Sequence, residues 1–144
     1  MFVQALEDEP ENIDVRLMLA RSYLGKNQSD SAAAMYDSAL GIALRLQDFQ
    51  LLCSIKDEVE EKNMLERISE RNLYNLGIVL EGRARYTDAM KIYSLHVALF
   101  SKSIVRPKIL NRMYLLYKNR LKKEVDAEKI LLQLQTEYPD WKKP

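Results

Sequence analysis

The sequence predicts an all-α chain, a stack of helical hairpins, on three observations. The first is composition: 144 residues include only 4 Gly and 4 Pro, with 47% hydrophobic and 30% charged residues. That balance suits packed helices and argues against both a disordered tail and a turn-rich sheet protein. The second is periodicity, since apolar residues recur at helical spacing through most of the chain. The third is punctuation, with turn signals near Gly25, Gly82 and Lys122. A chain of this length can bury a continuous core without a disulfide or structural metal, so one compact unit over 1–144 is expected.

Each element has its own signal. Ile13, Leu17, Ala20 and Leu24 mark one face of a first helix, with Leu19 and Tyr23 beside it, and Gly25 closes it. Ser29 and Asp30 stand where a cap is needed, because their side-chain oxygens can accept first-turn amide protons. Behind them Ala32, Met35, Tyr36, Ala39, Leu40, Ala43 and Leu44 form the stripe of a second helix. The pattern returns with Leu73, Leu76, Gly77 and Leu80, a helix end near Gly82, and Thr87 and Asp88 as caps of a helix bearing Ala89, Ile92, Tyr93 and Val97. A third pair starts near Pro107, whose missing amide proton is harmless in a first turn. It runs through Leu110, Met113, Tyr114 and Tyr117, turns between Lys122 and Val125, and continues through Ala127, Ile130, Leu131 and Leu134 to Pro139.

These residues resemble the tetratricopeptide repeat family, whose helical pairs of ~34 residues carry small and aromatic side chains at fixed offsets. Leu19, Ala20, Tyr23, Ala32, Tyr36 and Ala39 follow the signature in a repeat over 13–46, with Arg16 standing where a large apolar residue is usual. Leu73, Leu76, Gly77, Leu80, Tyr86, Ala89 and Tyr93 follow it over 70–103, with His96 where a small residue is usual. The pair over 107–140, closed by Pro139, fits only if its turn is one residue longer, and reads as a degenerate repeat. Ala5 and Pro10 resemble the close of a further repeat over 1–10, as in a piece of a longer solenoid. The first two signatures stand 57 residues apart, from Leu19 to Leu76, against the usual period of ~34. The excess falls in a helical insert over 47–69. There Lys56/Glu60 and Glu58/Lys62 have i, i+4 spacing, and the segment is expected to lengthen its neighbours. Its charges read as a solvated face rather than an acidic docking patch.

The resemblance implies an interaction module, in which first helices line a concave groove for a peptide or partner helix. By position that groove would present Leu17 and Arg21, then Arg71, Tyr74 and Asn75, then Lys108, Asn111 and Arg112. Such a lining is mildly basic and suits an extended acidic peptide, because Asn can bond a peptide backbone and Arg can pair a carboxylate. The co-chaperone version of the groove uses a Lys and Asn pair in the first repeat and a Lys and Arg pair in the third. Here those positions hold Leu17 and Arg21, and Asn111 and Leu115, so only Asn75 matches and chaperone-tail binding is disfavoured. Ala20, Gly77, Ala32, Ala39 and Ala89 would allow close helix approach, with Tyr23, Tyr36 and Tyr93 filling the spaces between pairs.

Other function classes find little support. The net charge of +1, from 22 Lys and Arg against 21 Asp and Glu, supplies little attraction for phosphate backbones or anionic lipid. An RNA-reading helical repeat is the alternative to a protein-binding one, and a fragment of a larger assembly scaffold is another. His96, the single histidine, falls on the face of Ala89 and Tyr93 and reads as a core residue rather than a catalytic base. Gly77 to Gly82 lacks the Lys and Ser/Thr of a phosphate loop. Cys53 reads as a buried, inert thiol. No cofactor, metal site or enzymatic activity is expected. Tyr138 and Trp141 read as aromatics folded over the last pair rather than as partner anchors. No apolar run reaches the ~20 residues of a membrane span, and the acidic start is unlike a signal peptide. Cytoplasmic residence is the default.

Overall fold

The computed structural model describes residues 12–142. Among them seven α-helices occur and no strand. The half-repeat expected over 1–10 lies outside the described residues. Where length suggested one compact unit, the chain divides into two, Met1–Asn72 and Leu73–Pro144.

The first unit is built on the hairpin of α1 (Ile13–Gly25) and α2 (Ser29–Leu46). Asn12 caps α1, its Oδ1 accepting from the Val15 amide at 3.1 Å. The expected caps of α2 are corrected. Ser29 and Asp30 already lie inside the helix, Gln28 holds the cap position, and no side chain bonds there. Asp30 instead places its charge in the first turn, where the helix dipole favours it, and pairs with Arg67. Arg16, the departure from the repeat signature, is half-buried; its Nε donates to Ser38 Oγ at 2.7 Å and its Nη1 to the Asn12 carbonyl at 3.2 Å. A polar tie between the two helices thus replaces an apolar contact.

The insert does not lengthen its neighbours. Gln47 turns left-handed with φ 57° and ends α2. Asp48 then caps a separate helix, α3 (Phe49–Glu61), accepting from the Leu51 amide at 3.1 Å. A short polar side chain before a helix supplies the acceptor its first amides need, so a new helix is favoured over an extended one. Leu52, Ile55 and Val59 bury its inner face. A 3-10 turn over Leu65–Arg67 then leads back to α2, where Asp37 Oδ1 accepts from the Ser69 amide at 3.0 Å and from Asn72 Nδ2 at 2.9 Å.

The second unit holds α4 (Glu70–Gly82, its first three residues in the first unit), α5 (Tyr86–Leu99), α6 (Arg106–Leu115) and α7 (Glu124–Glu137). Here too the expected caps are corrected: Tyr86 opens α5, Arg85 stands at the cap position with no side-chain bond capping the helix, and Asp88 pairs with Arg85. Arg106, only 8% exposed, ties three helices together. Its guanidinium grips Glu137 of α7 at 3.1 and 3.2 Å and donates to the Val97 carbonyl of α5. Trp141 folds back edge-on to Tyr114, with ring centroids 6.4 Å apart.

The turns explain the shifted third signature. α1 and α4 end alike: Gln28 N donates to the Tyr23 carbonyl at 2.8 Å, and Arg85 N to that of Leu80 at 2.9 Å. The left-handed residues are Asn27 at φ 58° and Ala84 at φ 60°, each two positions after the glycine that closes the helix. In the third pair a π-helical turn over Leu116–Arg120 intervenes, Lys123 N donates to the Tyr117 carbonyl at 2.8 Å, and Lys122 turns left-handed at φ 55°. This bond spans one residue more than its counterparts. The wider helical turn absorbs the extra residue, so Ala127 still reaches the core, fully buried.

Small residues sit where helices meet. Ala20, Ala32, Ala39 and Ala89 are fully buried. A Cβ built on Gly77 would lie 2.5 Å from Tyr93 Cε1. Gly77→Ala would gain about 1 kcal/mol of helix propensity, but the ring is buried and cannot yield, and overpacking costs about 1–3 kcal/mol. The variant is expected to melt at a lower temperature than the native chain by circular dichroism. Ala84→Gly should do the opposite: relief of a left-handed alanine at φ 60° is worth about 1–2 kcal/mol and exceeds the about 0.4–1 kcal/mol that glycine's unfolded-state entropy costs, which the same measurement would read as a small rise in Tm.

Candidate functional site

Both units contain the same cluster, a tyrosine hydroxyl, a carboxylate and a guanidinium. In the first unit Tyr36 is fully buried on α2 and its hydroxyl donates to Glu58 Oε2 at 2.6 Å. Arg21 on α1 forks onto the same carboxylate at 2.6 and 3.0 Å. In the second unit the fully buried Tyr93 on α5 donates to Glu81 Oε1 at 2.7 Å, and Arg112 on α6 donates to that oxygen at 3.1 Å. The two tyrosines occupy the same signature position. Their carboxylates do not: Glu81 comes from the preceding helix, whereas Glu58 comes from α3, the inserted helix.

The geometry fixes the charges. The hydrogen bonds from Arg21 hold the Glu58 carboxyl below its ordinary range, against partial burial, and the Tyr36 hydroxyl adds to them. The Glu58 bond in turn raises Arg21. Burial works against the Arg112 charge, but the facing Glu81 outweighs it and holds the guanidinium above its usual value. Burial pushes both Tyr36 and Tyr93 well above the ordinary phenol value, and the carboxylate that accepts each proton pushes further.

The residues expected to line a groove fare differently. Leu17 is 8% exposed and belongs to the core rather than to a free face, because its position falls on the apolar stripe of α1. Arg21 is exposed but occupied by Glu58, on which the Lys62 charge also acts. Arg71 is exposed in the first unit. In the second unit Tyr74, Asn75, Asn111 and Arg112 are half-buried and Lys108 is exposed. Tyr74 and Arg112 come within electrostatic reach of one another, and Tyr74 also acts on Tyr93. The Tyr74 ring meets the fully buried His96 edge-on at 6.4 Å, and Phe100 packs against His96 at 5.1 Å. Of the cations in the expected lining, Arg21 and Arg112 carry a carboxylate partner from within the chain, while Arg71 and Lys108 are exposed. Tyr23 is half-buried, unlike Tyr36 and Tyr93, and Cys53 is half-buried rather than enclosed.

Residues 1–50 match the tetratricopeptide repeat family. That stretch is similar to a tetratricopeptide repeat. The match covers the residues before α1, then α1, α2 and the first two residues of α3, the stretch bearing Leu19, Ala20, Tyr23, Ala32, Tyr36 and Ala39. No curated protein and no solved structure gives a match. In α4 and α5, outside the matched stretch, Leu76, Leu80, Ala89 and Tyr93 are fully buried. Among the described residues no group of three or more His, Cys, Asp and Glu could hold a metal ion, and no helix is long and apolar enough to cross a membrane.

Sequence reading missed Glu58, Glu81 and Arg106 as partners. Glu58 was visible only as a member of an i, i+4 pair, and Glu81 only as the residue before Gly82. A carboxylate that reaches another helix leaves no periodic trace.

The clusters titrate at both ends of the pH scale. Glu58 has a depressed value in the folded chain, so its contribution is present above the unfolded value of 4.5 and lost as pH falls through the folded one. The stability gap between the native chain and Glu58→Gln should therefore hold at neutral pH and narrow below that value in urea titrations. Tyr36 and Tyr93 are raised, so their contribution is complete below 10.0 and lost as pH rises further. Ultraviolet titration of the eight tyrosines should show a late-ionising class that shrinks in Tyr36→Phe, a change expected to cost about 1.5–3 kcal/mol for a hydrogen bond to a charged group.

Proposed function

We propose that the chain is a non-catalytic adaptor or scaffold segment that holds a peptide or partner helix against the first helices of its pairs. The observation that carries this reading is the placement of Tyr74 within electrostatic reach of Arg112 in the second unit. They come from the first helices of successive pairs, and both remain half-exposed. Asn75, beside Tyr74, is half-exposed and its amide makes no hydrogen bond to a described residue. An aromatic face with a spare donor and acceptor suits an extended peptide backbone. The match to the tetratricopeptide repeat family supports the same class of function.

The pairing of Arg112 with Glu81 refines the expected partner. A partner carboxylate at this place has to exchange with one already present, so backbone amides and apolar side chains contribute more to recognition than acidic ones. The net charge of +1 supports a protein partner over nucleic acid or anionic lipid.

The test is affinity capture with the native chain beside a variant carrying Tyr74→Ala, Asn75→Ala and Arg112→Ala. The variant should keep its helical circular dichroism and lose the partners held by the native chain. Retention of every captured partner by a folded variant would reject the proposed face.

A further inference from the structure

The last helix carries an apolar face that the hairpin itself does not use. α7 buries Ala127, Leu131 and Leu134 on its inner side. On the opposite side Val125 is 70% exposed and Leu132 65% exposed. Together with Glu124, Glu128 and Lys129 they form one open, nearly flat surface patch. Val125, Glu128, Lys129 and Leu132 follow i, i+3, i+4, i+7 spacing and so form one stripe. Among the described residues neither Glu128 nor Lys129 is engaged in an ion pair.

The order of residues in this stripe determines what fits it. A two-fold axis perpendicular to α7 and passing between Glu128 and Lys129 carries residue 125 onto 132 and residue 128 onto 129. Across that axis Val125 would meet Leu132 of a second copy, and Glu128 would meet its Lys129, twice over. A parallel arrangement would instead set Glu128 against Glu128 and Lys129 against Lys129, which like-charge repulsion disfavours. The stripe is thus complementary in shape of pattern and in charge to its own antiparallel image, the requirement of an isologous interface. We propose that α7 is a self-association surface and that its occupant is a second copy of this chain, packed antiparallel through Val125, Glu128, Lys129 and Leu132. One helix seam buries less than the ~1,200 Å² at the lower end of standard stable interfaces, so the dimer is weak and concentration-dependent. It uses a face separate from Tyr74, Asn75 and Arg112, and the two surfaces can fail or stand independently.

Sedimentation of the full chain over roughly 10 µM to roughly 1 mM tests this. The native chain should pass from monomer toward dimer, and Leu132→Glu should weaken the dimer by roughly tenfold or more. Glu128→Lys and Lys129→Glu should each weaken it, since each sets like charges together, while the double exchange Glu128→Lys/Lys129→Glu should restore it to within roughly threefold of native. Circular dichroism checks that each variant remains folded, as expected for exposed positions. A native chain that stays monomeric throughout would overturn the proposal. So would a dimer indifferent to Leu132→Glu, or a double exchange as weak as its two parents.

Discussion

A buried tyrosine hydroxyl that must give its proton to something organises both units. Tyr36 and Tyr93 fill the space beneath neighbouring helices, where a large ring contributes much apolar burial but carries a polar tip out of water. Leaving that tip unbonded would cost a buried hydrogen bond, so a carboxylate has to follow it in. The carboxylate then needs a cation, since an isolated buried charge is costly. Arg21 and Arg112 meet that need, each reaching from a helix other than the one that supplies the carboxylate. One packing decision thereby recruits three helices, and the same chain of necessity appears twice with the carboxylate supplied from different places.

That difference gives the inserted helix a reason. In the second unit Glu81 lies on the helix that pairs with Tyr93, and α6 brings the guanidinium. In the first unit the residue corresponding to Glu81 is Leu24, which cannot accept the Tyr36 proton. α3 delivers Glu58 to the hydroxyl instead, and Arg21 of α1 closes the cluster. The insert is therefore part of the hydrogen-bonding of the first repeat rather than a spacer between repeats. It also takes Arg21 out of service as a free cation, which is why binding is better sought around Tyr74 and Asn75.

Much of the fold was legible because helical packing writes itself into local spacing. The stripes of Ala32, Tyr36 and Ala39 and of Leu76, Leu80 and Tyr93 located the hairpins, and glycines at 25 and 82 marked where helices close. The extra residue of the third pair was legible too, and the π-helical turn over Leu116–Arg120 gives it a place. Helix starts were less legible: Ser29, Asp30, Thr87 and Asp88 are good capping residues by type, yet the helices begin at or before them. Asp48, which does cap, sat in a charged insert with no signature around it. The site was the least legible part. Position along a helix gave Tyr74, Asn75 and Arg112, but which arginines are neutralised depends on Glu58 and Glu81 reaching across space, and Leu17 was drawn into the core by the stripe it shares.

The most direct measure of this account is a double-mutant cycle on Tyr93→Phe and Arg112→Met, read by urea unfolding. Both side chains address Glu81, so their effects should be coupled by at least about 0.5 kcal/mol, as expected for residues sharing one hydrogen-bonded partner. Effects that simply add, within about 0.3 kcal/mol, would contradict the claim that tyrosine, carboxylate and guanidinium act as one unit.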